Sequence, residues 1–430
     1  MRVMTTKLLG LLAKWHIPLI VFLGVSSTLV VKGGYTYWCL LLSILGTYHI
    51  ARNPTFFLNT LRQEDMGFSF SWLLGCFLLS SILSIFIYAF HGYSLGGFQS
   101  VLPFLVYPLL ISIVSRENSL TPVFLCGSAT AALGAAVFAL IQIFYFGEGR
   151  ASGHINPITF GDTCLIFSTA CIIGFIELEV PGKIDRFKLI LFIGGLSGLI
   201  GSIMSGSKGG WLSLITIYTY WIWRTISKAT PRKRYLLAAA IVVITLALYD
   251  LIPDHIVKHR IVSGWNGLVT YLETGKVTEG SVSIRLELWK VGVRIFLESP
   301  LVGSGDFYTH LRRIELAQSG EYSQMVADIR TFDNEYVNRL AAEGLIGLAS
   351  TLLVFAGPLV AFNRFRKSSI DSVRTLALIG MALPVLYFEF GLSVSIYGTN
   401  AFRQVYASWS ILLLSLIAAE LRIHGKPSIS

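Results

Sequence analysis

The side chains best suited to chemistry are a few cations, a carboxylate and an imidazole, spread over short polar stretches of an otherwise apolar chain. Arg150 opens Arg150-Ala-Ser-Gly-His-Ile-Asn-Pro. There a guanidinium, a flexible glycine and an Asn-Pro that starts a helix make a natural anion site, because the first N–H groups of a helix are unpaired. Lys208 sits in Ser205-Gly-Ser-Lys-Gly-Gly. Small residues let backbone N–H groups approach an anion, and the ammonium adds charge. This is not a P-loop, since the GxxxxGK[ST] spacing is absent. Arg285 can fork onto a phosphate, and Trp289, one helical turn on, can pack against a sugar or a lipid. In Thr331-Phe-Asp-Asn-Glu-Tyr, Asp333 is a candidate general base and Asn334 could orient a hydroxyl. His310 is a second candidate base. Each has a plainer role to weigh against these: Arg150 reaching outer headgroups, Lys208 in a tight turn, Arg285 on a solvated helix face, Asp333 as a helix cap, His310 as a structural loop residue.

Taken together, these groups suit a substrate with a pyrophosphate, sugars and a lipid tail. Cations stabilise a departing pyrophosphate as charge develops on it. A carboxylate or imidazole takes the proton of an attacking hydroxyl. No carboxylate cluster argues for a bound divalent metal, so a metal-independent reaction without a cofactor is expected. ATP does not fit a site outside the membrane, so the donor bond itself supplies the energy.

Charge and hydropathy show what must position these groups. Of 430 residues, 54% are hydrophobic and 13% charged, with a mean hydropathy of +0.67. Soluble domains carry about 25% charged residues, so the fold expected is an all-α polytopic membrane protein. About twelve apolar segments have near-spanning length, at 17–31, 35–50, 69–90, 98–114, 121–146, 157–177, 188–204, 210–227, 235–251, 345–363, 375–396 and 404–420. The first reads as a retained anchor. Most of the 34 Lys and Arg fall in alternate connections and at the two termini. By the positive-inside rule both termini are cytoplasmic and the one long polar loop lies outside. The net charge of +10 therefore reflects topology rather than nucleic-acid binding. All five cysteines lie in apolar runs and read as small core residues.

The chain divides into membrane segments over 1–251, the polar loop over 252–344, and further membrane segments with a tail over 345–430. Within the loop, 283–298 reads as an amphipathic helix ended by Ser299-Pro300. Gly303-Ser304-Gly305 reads as a turn. A second helix over 334–346 runs into the next membrane segment, with Asp333 at its N-cap. The stretch 311–331 shows no clear period.

In this order and placement the motifs carry a resemblance to a known family. Arg150…Gly153…Asn156-Pro157, Ser205-Gly-Ser-Lys208-Gly-Gly, Arg285…Trp289 with Pro300-Leu-Val-Gly-Ser-Gly305, and Asp333-Asn-Glu-Tyr…Glu343-Gly-Leu-Ile-Gly347 resemble the bacterial O-antigen ligases of the O-antigen ligase/polymerase superfamily. The resemblance implies a fold similar to the GT-C class, with a large periplasmic loop, in the bacterial inner membrane. It implies an undecaprenyl-pyrophosphate-linked glycan as donor, lipid A–core as acceptor, and an inverting attack at the anomeric carbon. Arg285 matches the family's loop arginine, Lys208 a position where Arg is common, and Arg150 a further phosphate contact. Two positions depart from the pattern. Lys208 is a point charge rather than a fork. Asp333 stands where many ligases have His, and an ordinary carboxylate is a weaker base than an imidazole, which leaves Asp333 and His310 both open as the base. The polymerases use the same donor and a lipid-linked glycan as acceptor, and Arg294 with Gly305 fits a spacing associated with them. Protein O-glycosylation shares the donor. A transporter would need ionisable residues deep in the helices, for which Glu389 is the best candidate.

Overall fold

The computed structural model describes residues 16–62, 64–93, 95–179, 186–207, 209–228, 258–277 and 282–424. Lys208 and the expected apolar segment 235–251 lie outside the described residues. Among the described residues the chain forms helices and turns, with no strand. This follows from the apolar runs, because backbone groups in hydrocarbon must pair within their own segment.

Every other expected apolar segment is helical. Among the described residues, seven helices are long and apolar enough to cross a membrane: Met66–Phe90, Thr121–Tyr145, Pro157–Glu177, Arg186–Ser205, Glu335–Asn363, Asp371–Gly391 and Asn400–His424. His16–Ser27 and Leu102–Val114 are apolar but shorter. Of the twelve or so segments expected, seven thus qualify as spans among the described residues. The 98–114 segment shows one reason: a 3-10 turn, Tyr107–Leu110, interrupts it, and Pro108 there supplies no N–H to an α-helical ladder.

The Asn400–His424 helix is the axis of the bundle, its apolar window wholly buried. It packs on Asp371–Gly391 and Gly34–Arg52, and Trp409 meets Phe124 and Phe167 edge to face. Pro157–Glu177 and Arg186–Ser205 pack most extensively among the described helices. Gly194, Gly195, Gly198 and Gly201 line the second of these, and small residues allow such an approach without a hydrophobic drive between helices. All five cysteines are unpaired, and Cys39, Cys76, Cys164 and Cys171 are buried.

The polar segment builds a small core of its own. Val282–Glu298 matches the expected helix. It turns Ile284, Leu288, Val291 and Ile295 onto Leu316, Val326, Phe332 and Ala341, at the three- and four-residue spacing of one helix face. Two further helices, Lys258–Thr274 and Asp306–Gln318, and a 3-10 turn Gln324–Val326 were not evident in the sequence. The Asp306–Gln318 helix buries Thr309, Arg313, Leu316 and Ala317. A threonine and an arginine on the core face erase the apolar period that would have marked it.

Candidate functional site

The two loop residues singled out for chemistry meet. Arg285 Nε lies 3.6 Å from Asp333 Oδ2, with side chains 31% and 37% exposed. The Val282–Glu298 helix brings this about by burying its apolar face and leaving Arg285 and Trp289 beside the 331–334 turn. The Trp289 indole N–H donates to the Phe332 carbonyl at 3.1 Å, so its polar edge holds protein backbone. Asp333 is the one non-glycine residue with positive φ among the described residues, at 48°. An L-residue pays a steric cost in that region, and such outliers cluster at functional sites. The Thr331 hydroxyl donates to Asp333 Oδ1 at 3.2 Å. One Asp333 oxygen is thus held locally while the other faces a partly solvated guanidinium.

The helix that follows corrects one expectation. Its N-cap is Asn334, not Asp333. Asn334 Oδ1 accepts from the Tyr336 and Val337 N–H groups at 2.9 and 3.1 Å. With Asp333 in the left-handed region, the next residue takes the extended conformation a cap needs. The Asn334 amide also donates to the Leu392 carbonyl at 3.4 Å, so the structure commits it at both ends. Tyr336 donates to the Phe388 carbonyl at 2.7 Å. Glu335 accepts from Ser395 at 3.1 Å and from the Tyr397 N–H at 3.2 Å. These bonds fasten the Asp333 turn to the end of the Asp371–Gly391 helix and the turn beyond it.

Below the turn lies a buried charge ladder. Arg339 Nε donates to Glu335 at 2.7 Å and its Nη1 bonds Glu343. The guanidinium also stacks 4.4 Å over the Tyr397 ring.

The glycine motifs are explained by one interlock. The Glu335–Asn363 helix breaks at Gly344, whose φ is 66° and ψ −159°. The 300–305 stretch threads that break. Leu345 and Ile346 donate to the Pro300 and Leu301 carbonyls at 2.8 and 3.2 Å. Ser304 and Gly305 donate to the Ala341 and Ala342 carbonyls at 3.0 and 2.8 Å. Cβ atoms on Gly303 or Gly344 would collide with the facing backbone, so Pro300…Gly305 and Glu343…Gly347 join the Val282–Glu298 helix to the spanning helix.

Arg150 and Asn156 connect to the same region. Asn156 caps the Pro157–Glu177 helix, accepting from the Thr159 N–H at 2.8 Å. Arg150 Nε and Nη2 donate to the Ser205 and Gly206 carbonyls at 2.8 and 3.4 Å, so this guanidinium braces the end of the Arg186–Ser205 helix. The Ser207 hydroxyl donates to Asp162 at 2.8 Å. Gly209 abuts Ser393, where a Cβ would strike the hydroxyl, and Ser393 follows the Leu392 that Asn334 contacts. Arg150 thus touches residues 205–206, Gly209 touches Ser393, and Leu392 touches Asn334 beside the Arg285–Asp333 pair. Glu389 bonds Thr216.

His310 is placed differently. Its Nδ1 bonds Arg313 Nη2 at 2.9 Å. Arg313 is fully buried and lies 5.3 Å from the Phe332 ring centroid. No motif marked Arg313, and Phe332, although inside the 331–336 motif, is an apolar residue with no chemical role of its own. A charged residue at a core position of a helix is legible only once the helix is known.

Residues 193–353 match the family model described as O-Antigen ligase. That stretch contains Lys208, Arg285, Trp289, His310, Asp333 and Asn334 and leaves Arg150 outside. An uncharacterized protein of Haemophilus influenzae is 23% identical over 399 residues, covering 91% of this chain and 96% of its own length. The expected resemblance to the O-antigen ligase superfamily therefore holds. It supports a membrane protein with ligase- or polymerase-type glycosyltransferase activity.

Proposed function

We propose, with the O-antigen ligase match as premise, that the chain transfers O-antigen glycan from undecaprenyl pyrophosphate to lipid A–core. The reaction is inverting and metal-independent, in the bacterial inner membrane with the site facing the periplasm. The observation that carries this reading is the Arg285–Asp333 pair, partly exposed on a turn fastened to the bundle.

A hydroxyl oxygen of the acceptor sugar forms a bond to the anomeric carbon of the donor glycan. The bond from that carbon to the pyrophosphate oxygen breaks, and the electron pair leaves on the lipid pyrophosphate. Arg285 stabilises that developing charge. The hydroxyl proton passes to Asp333 Oδ2. The pair is suited to both duties because it is loose: an exposed ion pair is worth at most about 1 kcal/mol, so a pyrophosphate can draw the guanidinium away and leave the carboxylate free to accept a proton. Positioning of donor and acceptor supplies much of the rate, which lets a weak base serve. Lys208 and Arg150 are the further contacts assigned to the phosphates, with Trp289 beside the glycan.

Purified protein given lipid-linked glycan and lipid A–core should yield long-chain lipopolysaccharide without ATP. Growth of glycan on the lipid carrier with no transfer to core would replace this reading with polymerase activity. Transfer to a protein acceptor alone would replace it with protein O-glycosylation.

A further inference from the structure

Arg313 is an unusual residue to find at a core position. It is fully buried on the Asp306–Gln318 helix, and its Nε and Nη1 have no hydrogen-bond partner among the described residues. Burial lowers its pKa to about 10, so it stays charged at neutral pH. With no ion-pair partner among the described residues, a buried cation is costly, and an apolar side chain of similar volume would serve packing better. What Arg313 touches indicates its use. Its guanidinium lies over the Phe332 ring and its Nη2 bonds His310 Nδ1.

Phe332 is gripped on its other sides. Its carbonyl takes the Trp289 N–H, and its ring lies where a Cβ on Gly292 would come within 3.2 Å. The residue after it is Asp333, in its left-handed conformation. The His310 contact fixes a proton. An arginine N–H can only donate, so Nδ1 must accept, and the neutral imidazole carries its hydrogen on Nε2.

We propose that Arg313 is a positioning residue for the transfer site: it clamps Phe332, and so the backbone of Asp333, while holding His310 as the Nε2–H tautomer. His310 is then a hydrogen-bond donor, and Asp333 takes the acceptor's proton. The assignment rests on the glycosyl-transfer reading for its chemistry, though not for its geometry.

The test has two arms on the full-length protein. Nitrogen-15 spectra of histidine-labelled protein, with His310 assigned by its loss in His310→Gln, should show the Nε2–H tautomer at neutral pH. A proton on Nδ1 overturns the assignment. Arg313→Met keeps the volume and removes the charge. Its kcat should fall at least about tenfold with KM for donor and acceptor little changed, since a displaced group costs rate rather than binding. Arg313→Lys should recover part of the loss, and an unchanged kcat in Arg313→Met overturns the positioning role. If Arg313→Met does not fold, Phe332→Leu removes the same contact from the other side, and the same loss or its absence decides. The spectra need no substrate, so the expected tautomer in protein that transfers no glycan would sink the glycosyltransferase reading and leave the Arg313 contacts standing.

Discussion

Two charged clusters lie close together along the Asp333–Gly344 stretch and differ in kind. The Arg285–Asp333 pair is partly exposed, 3.6 Å long and made across two elements. The Glu335–Arg339–Glu343 ladder is buried, tightly bonded and made within one helix. The first is weakly satisfied and reachable by a ligand. The second is shut in, backed by Ser395, the Tyr397 N–H and the Tyr397 ring. A charge pair that serves catalysis must give up its partner for the substrate, whereas one that serves the fold must not. The molecule holds both within a few residues, and the ladder gives the loose pair a fixed base.

The largest expected effect comes from breaking the ladder. Arg339→Ala strands two buried carboxylates and should cost about 3–5 kcal/mol, seen as a large fall in the thermal midpoint of the detergent-solubilised protein. A midpoint within a degree or two of wild type would show that the ladder is not what fixes the turn. Asp333→Asn should leave that midpoint nearly unchanged and slow transfer by roughly a hundredfold or more, the usual contribution of a general base. Equal turnover by this variant would move the proton to another group. The neighbouring Asn334→Ala removes a helix cap and should cost about 1 kcal/mol of stability, with a smaller loss of rate than Asp333→Asn; the reverse order would make Asn334 the chemical residue. Chelation with EDTA should change turnover least, and a loss restored by a divalent cation would show a metal at work.

Much of this was legible in the sequence, for identifiable reasons. The spanning helices are written in long apolar runs, and Val282–Glu298 in the spacing of Ile284, Leu288, Val291 and Ile295. Pairing of Arg285 with Asp333 was not legible as a contact, though both were chosen for chemistry. The cap slipped by one residue because Asp and Asn are equally good caps, and only the positive φ of Asp333 decides between them. The Asp306–Gln318 helix was hidden by Arg313 on its core face. The glycine motifs were recognisable as motifs, but that 300–305 threads the break at Gly344 is a long-range backbone match no local pattern records.

The central claim is that the exposed pair performs the transfer and the buried ladder does not. Arg285→Ala tests it most directly, with transfer to lipid A–core and thermal midpoint measured on the same preparation. Transfer should fall at least about a hundredfold, the scale of removing a charge-stabilising donor, at an unchanged midpoint. Near-normal transfer by a folded Arg285→Ala protein would contradict it.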